Sequence, residues 1–162
     1  MAPTAPRFRD ALVVLARHDV EFIVVGGVAA VLQGAPIATF DLDVVHRRTP
    51  DNVAKLLDAV TAMNGRYRDL PGRVLTPTAS ALAAGGHHLL VTDHGPLDVL
   101  GLIGAGLGYD ELVSRSSPLD LGELRVLVLD LASVIQLKEE LGRDKDRAVL
   151  AVLRKTLALR RA

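Results

Sequence analysis

An apolar, largely β-branched run, Phe22-Ile23-Val24-Val25, stops at Gly26-Gly27. After a short spacer a second apolar run begins with two aspartates, Asp41-Leu42-Asp43-Val44-Val45. The first run reads as a buried strand spanning Glu21 to Val25 and the second as a strand from Asp41 to Val45. Along a strand, residues i and i+2 point to one side, so Asp41 and Asp43 aim two carboxylates at one place. Gly26 and Gly27 allow a tight turn with positive φ and let a ligand come close to the backbone. The helix that follows them, read from Val28 to Gln33, would turn free N–H groups toward an anion. Neighbouring carboxylates repel unless a cation joins them. Mg²⁺ suits that place because it takes carboxylate oxygens, keeps several waters and completes its shell with substrate phosphates. Either feature alone describes a polar strand edge or an ordinary turn; together they describe a metal–nucleotide site.

A third acid, Asp98, lies between Leu97 and Val99 in another apolar run. An unpaired carboxylate is costly in such surroundings, so a cation or a set of donors is expected beside it. If its strand adjoins the Asp41–Val45 strand, three carboxylates converge, two bridging metal ions and the third holding the one that activates an acceptor hydroxyl.

Charge and composition narrow the chemistry. The chain has 162 residues, with 19 basic and 19 acidic, so no chain-wide field draws it to nucleic acid. From Lys138 to Ala162, however, eight Lys/Arg stand against four Asp/Glu, a local balance of 8 − 4 = +4. Lys138, Arg143, Lys145 and Arg147 are the basic candidates for a triphosphate, whose transition-state charge needs more than the metal. With no cysteine, disulfides, thiolate zinc sites and cysteine nucleophiles are excluded. No apolar run is long enough to span a bilayer, and residues 1–10 hold no apolar signal-type stretch. A soluble, cytoplasmic protein is expected.

The remaining pattern is mixed. Helical spacing runs from Arg7 to His18 and from Thr49-Pro50 to about Met63, where Thr can cap and Pro suits the first helical position. His87–Thr92 and Leu97–Gly101 read as an antiparallel hairpin, and Leu119–Val128 as another turning at Gly122. A short helix is expected around Asp110–Ser114, one from Asp130 to Leu141 that Gly142 stops, and a last one from Asp144 toward Leu159. Residues 64–86 carry loop signals and at most one short strand. His87 and His88 are adjacent in a strand and must face opposite ways, one toward solvent. His46 reads as a loop histidine. The expected fold class is α/β (α+β), a small mixed sheet flanked by helices in a single domain over 1–162, with 130–162 a helical C-terminal extension.

Val25-Gly26-Gly27, then Asp41-Leu42-Asp43-Val44, then the lone strand residue Asp98, resemble the signature of the nucleotidyltransferase superfamily that includes DNA polymerase beta. The likeness is strongest over residues 20–60. It is nearest to small bacterial stand-alone members, the minimal nucleotidyltransferases and the abortive-infection toxin group. Those often carry a late segment like Leu137-Lys138 with Gly142-Arg143-Asp144-Lys145-Asp146. The resemblance implies catalytic and metal-binding roles for Asp41, Asp43 and Asp98. It implies nucleotide-binding roles for Gly26, Gly27, Thr39, Lys138 and Lys145, with Mg²⁺ as cofactor and an NTP as substrate. The acceptor would be a tRNA or a protein, and a cognate antitoxin would be a partner. One departure stands out: many relatives place an Arg shortly before Thr-x-Asp-x-Asp, and here Ile37, which cannot neutralise phosphate, occupies that neighbourhood, so either nucleotide affinity is weak or another base substitutes.

Two other classes compete. A non-catalytic binding or regulatory module could keep the fold; the three acids argue against it and Ile37 argues for it. A glycosyltransferase could use Asp-x-Asp to hold a nucleotide-sugar, but Gly26-Gly27 would then be unexplained, and such folds need a larger nucleotide domain.

Overall fold

The computed structural model describes residues 7–162. Most of the signal-peptide argument, drawn from residues 1–10, falls outside them. Two short runs give the frame: β1 (Phe22–Val25) and β2 (Leu42–His46) pair antiparallel, with Val25 opposite Asp43. All four residues of β1 are buried, as a strand covered on both faces requires. Around this pair the described residues form one seven-stranded mixed sheet, ordered β3-β4-β5-β2-β1-β7-β6. The added strands are β3 (Arg66–Tyr67), β4 (His87–Thr92), β5 (Gly95–Leu100), β6 (Ser116–Leu121) and β7 (Leu124–Leu129). β5 lies parallel to β2, and β7 parallel to β1. The outermost strands are the two-residue β3 and β6, whose Pro118 cannot donate to a ladder and so suits an edge.

Helices cover both faces. α1 (Phe8–Arg17) and α3 (Pro50–Ala62) pack together, burying Leu12, Leu15, Val53, Leu56 and Val60. Thr49 caps α3 by accepting from the Asn52 N–H at 3.4 Å, with Pro50 at the first position as the sequence suggests. Asn52 itself is buried and satisfied. Its Oδ1 accepts from the Glu21 N–H at 2.7 Å, and its Nδ2 donates to the carbonyls of Glu21 and Arg47 at 3.0 and 2.7 Å. This amide ties α3 to the start of β1 and the end of β2.

The other face meets α2 (Gly26–Leu32) and α6 (Leu131–Leu141). Gln33, at the end of α2, joins them. Its Nε2 donates to the carbonyls of Ala29 (2.9 Å) and Leu129 (2.8 Å), and its Oε1 accepts from the Leu131 N–H at 2.9 Å. Gly142, in the left-handed conformation at φ 62°, ends α6. After a 3-10 turn (Asp144–Asp146), α7 (Arg147–Arg161) packs on α6. The short elements α4 (Ala79–Ala83) and α5 (Tyr109–Leu112) complete the chain. One continuous cluster of buried, mainly aliphatic residues runs from Ala11 to Leu153. Among the described residues no helix is long and apolar enough to cross a membrane.

Several local expectations shift. Gly26 and Gly27 are the first turn of α2, not a break before it. The second strand starts at Leu42, one residue late, which leaves Asp41 outside the alternation that was to align it with Asp43. Residues 64–86 hold both β3 and a helix, α4, which the loop signals concealed. Thr78 caps α4 by accepting from the Ala81 N–H at 3.2 Å.

Candidate active site

Strands β2 and β5 run parallel and place Asp43 directly opposite Asp98. Strand alternation puts Val25, Val45, Leu100 and Leu129 on the same face of the sheet. Above this face lies a cleft of about 310 Å³. Its floor includes Gly26, Gly27, Asp43 and Asp98, and its opposite wall is α6 with Val134, Leu137, Lys138 and Leu141, followed by Arg143. The cleft is therefore mainly aliphatic, with two carboxylates on its floor, His87 beside them and two cations on the opposite wall.

The acid pair is strongly perturbed. Asp98 is 9 % exposed, and Oδ1 of Asp43 is buried with no hydrogen-bond partner. The Asp43 carboxyl is pushed up to about 8. Burial is the first cause; the Asp98 carboxyl follows as hydrogen-bond partner and as like charge, then the Asp41 charge, while Lys138 pulls the other way. Two facing, partly buried acids cannot both ionise cheaply without a cation between them, which favours the protonated form of Asp43 when no cation is bound. Asp98 has a cation of its own. Nη1 of Arg68 lies 2.8 Å from Asp98 Oδ1, but it is aligned on the Leu90 carbonyl at 3.1 Å, so the contact is an ion pair without an aligned hydrogen bond.

The glycines are required by the acids' neighbourhood. Gly26 has φ +64°, and a Cβ there would run into the Asp43 carboxylate. A Cβ at Gly27 would lie 2.6 Å from Oγ1 of Thr39, whose hydroxyl donates to the Asp41 carbonyl at 3.5 Å. Positive φ thus belongs to Gly26 alone of the pair. With seven residues, α2 contributes a short dipole.

Of the residues singled out in sequence, Gly26, Gly27, Asp43, Asp98 and Lys138 meet in the cleft. Asp41 is half-buried just before β2 and is not part of its lining; it acts on Asp43 only as a nearby charge. Thr39 lines a separate hollow of about 290 Å³ between α1 and α2. Lys145 is exposed in the 3-10 turn, outside the cleft lining, because Asp146 is the residue that turns inward. Ile37 packs against the core, and the bases that do reach the cleft are Lys138 and Arg143. His87 lines the cleft and His88 is buried on the opposite face, its Nδ1 2.8 Å from the Tyr67 hydroxyl. His46 is not a loop residue: it ends β2, fully buried, with Nε2 2.8 Å from the Leu82 carbonyl.

Sequence reasoning missed Arg68 and Asp146. Asp146 is buried between the two cleft cations: Arg143 Nε donates to its Oδ2 at 2.8 Å, and Lys138 Nζ lies 3.5 Å from its Oδ1. Four acids, Glu139, Glu140, Asp144 and Asp146, alternate with the four bases of 138–147, so charge pattern alone did not single Asp146 out. Arg68 carried no signal.

Among the described residues no three His, Cys, Asp or Glu side chains are gathered to hold a metal ion. Two facing carboxylates, one with an unpartnered buried oxygen, do fit a hard cation that draws its remaining ligands from water and phosphate.

No family model and no curated protein matches this chain. Six chains of known structure do. One of them is a "putative nucleotidyltransferase" from Thermotoga maritima, with a TM-score of 0.57 and 18 % identity, the match covering 93 % of this chain and 90 % of that one. The chain has a nucleotidyltransferase-like fold.

Proposed function

We propose that the protein is a Mg²⁺-dependent nucleotidyltransferase that moves a nucleoside monophosphate from an NTP to an acceptor hydroxyl. The observation that carries this is the in-register pair Asp43–Asp98 facing Lys138 across one cleft. Asp43 and Asp98 would hold the divalent ion, which when bound neutralises phosphate charge. Lys138 from α6 and Arg143 from the turn after it meet the β- and γ-phosphates, adding positive charge where the transition state gathers negative charge. Gly26 and Gly27 keep the floor free of side chains. The acceptor oxygen attacks the α-phosphorus and its proton passes to the carboxylate pair. The bond from the α-phosphorus to the bridging oxygen breaks, and pyrophosphate leaves. The side chains position and neutralise; none forms a covalent intermediate.

The acceptor is a tRNA or a partner protein, and the setting is a toxin with a cognate antitoxin. Incubation with each labelled NTP, Mg²⁺, total cellular RNA and total protein tests the whole reading. Label in RNA or in protein identifies the acceptor class, and loss of label in Asp43→Asn ties it to the cleft. A second reading, a non-catalytic nucleotide-binding module, is favoured by the Arg68–Asp98 ion pair and by the position of Asp41 outside the cleft lining. Saturable NTP binding with no label transferred to any fraction would select it.

A further inference from the structure

Arg68 reaches the acid pair from the edge of the sheet. Its backbone N–H donates to the Leu89 carbonyl at 3.0 Å, one residue beyond the last β3–β4 pair. Leu89 in turn stands opposite Asp98 on β5. The side chain therefore spans β4 to set Nη1 2.8 Å from Asp98 Oδ1. Both groups are largely covered, with side-chain exposures of 20 % and 12 %.

Three features distinguish this contact from a simple stabilising ion pair. The guanidinium is not seated as a two-pronged fork, the geometry in which Arg and carboxylate bind best; Nη1 is aligned on the Leu90 carbonyl instead. The carboxylate it touches is one of the two a hard cation would need. Regular pairing also ends here: Asp69, next in the chain, has φ +58° and the backbone turns away through Leu70–Arg73. The side chain can leave Asp98 while the β3–β4 ladder stays intact.

We propose that Arg68 is a built-in competitor for the divalent cation, a guanidinium that holds Asp98 until the ion displaces it. This rests on the metal-dependent reading of the cleft. A guanidinium is always charged, so the competition persists at every physiological pH. Its purpose follows from cost. Without a counter-ion Asp98 would be a buried, unpaired charge, and with the ion bound a second cation at the same oxygen is repelled.

The test uses the full chain without nucleotide. Mn²⁺ binding is followed by the loss of its free-ion electron paramagnetic resonance signal, in wild type and in Arg68→Gln, and melting is measured in EDTA and in saturating Mn²⁺. Arg68→Gln is expected to bind Mn²⁺ about tenfold more tightly, the scale of one nearby charge in a partly solvated site. It should melt below wild type in EDTA, and Mn²⁺ should narrow that gap. Equal or weaker Mn²⁺ binding by the variant, with an unchanged gap, overturns the competition and leaves the metal reading standing. Failure of both proteins to bind Mn²⁺ overturns the metal reading and this proposal with it. If the variant is unfolded in EDTA, refolding on addition of Mn²⁺ supports the proposal and indifference to Mn²⁺ overturns it.

Discussion

Asp146 holds both cations of the cleft at once: Lys138 Nζ lies 3.5 Å from one carboxylate oxygen and Arg143 Nε donates to the other at 2.8 Å. Burial works to raise the Asp146 carboxyl, but the Arg143 hydrogen bond and the Lys138 charge outweigh it and hold it below the ordinary range. A depressed carboxylate contributes stability above its unfolded pKa and loses it as pH falls through its folded one. Asp146→Asn should therefore cost about 1–3 kcal/mol at neutral pH, a difference that shrinks in acid. It should also raise the KM for NTP more than it lowers kcat, because it loosens the phosphate-facing side chains and leaves the acids alone. Urea unfolding at two pH values and steady-state kinetics check this; an unchanged KM would sink the positioning role.

Asp43 gives the opposite slope. Its carboxyl is raised from 3.8 to about 8, so the folded protein binds that proton more tightly than the unfolded chain. The stabilisation is complete below about pH 4 and is lost as pH rises through 8. In EDTA, Asp43→Asn, which stays neutral, should be more stable than wild type by about 2 kcal/mol at pH 9, with the gap closing toward pH 5. Parallel pH–stability curves for the two proteins would contradict it.

The two lysines expected at the phosphates should separate. Lys138 faces the cleft and Lys145 stands exposed outside its lining. Lys138→Ala should lower kcat/KM for NTP by about tenfold or more, and Lys145→Ala should change it less than twofold. Equal losses in both would mean that the basic segment acts as a diffuse field, which added salt would weaken in both alike.

Gly26 should be the less replaceable glycine. Gly26→Ala combines a left-handed backbone with a collision on the Asp43 carboxylate, for a cost of about 2 kcal/mol or more and a displaced acid. Gly27→Ala meets only the Thr39 side chain, at 2.6 Å from its hydroxyl oxygen, and Thr39→Gly should relieve it. Denaturation midpoints of the three variants and the double variant test this, and no rescue by Thr39→Gly would reject Thr39 as the obstacle.

Much of this site was legible because it is local. A short apolar run, a glycine pair, a following acid pair and an acid inside another apolar strand, taken together, mark Gly26, Asp43 and Asp98 as candidates, and the β2–β5 pairing then brings the two acids side by side. The alignment of Asp41 with Asp43 did not follow from alternation, which holds only within a strand, because β2 begins one residue later and Asp41 stands just before it, near enough to act on Asp43 as a charge. Arg68 was invisible because its partner comes from the far side of β4, a contact fixed by strand order and not by spacing. Lys145 and Asp146 are adjacent, and only burial decides which of them serves the cleft; a 3-10 turn gives no periodic signal of that choice.

Gln33 also accepts at its backbone carbonyl from Arg160 Nη1, at 2.7 Å. Together with its side-chain bonds, this one residue links the end of α2, the end of β7, the first residue of α6 and the last turn of α7. The stretch 130–162 is thus an extension in sequence but a structural member of the sheet's own support. The expected result is a single cooperative melt, with amide protection rising together in β7, α2 and α6. A chain cut before Leu131 would leave the Gln33 Oε1 and backbone carbonyl without their donors and α2 without its α6 neighbour, so it should yield to proteases as a whole and not survive as a trimmed core.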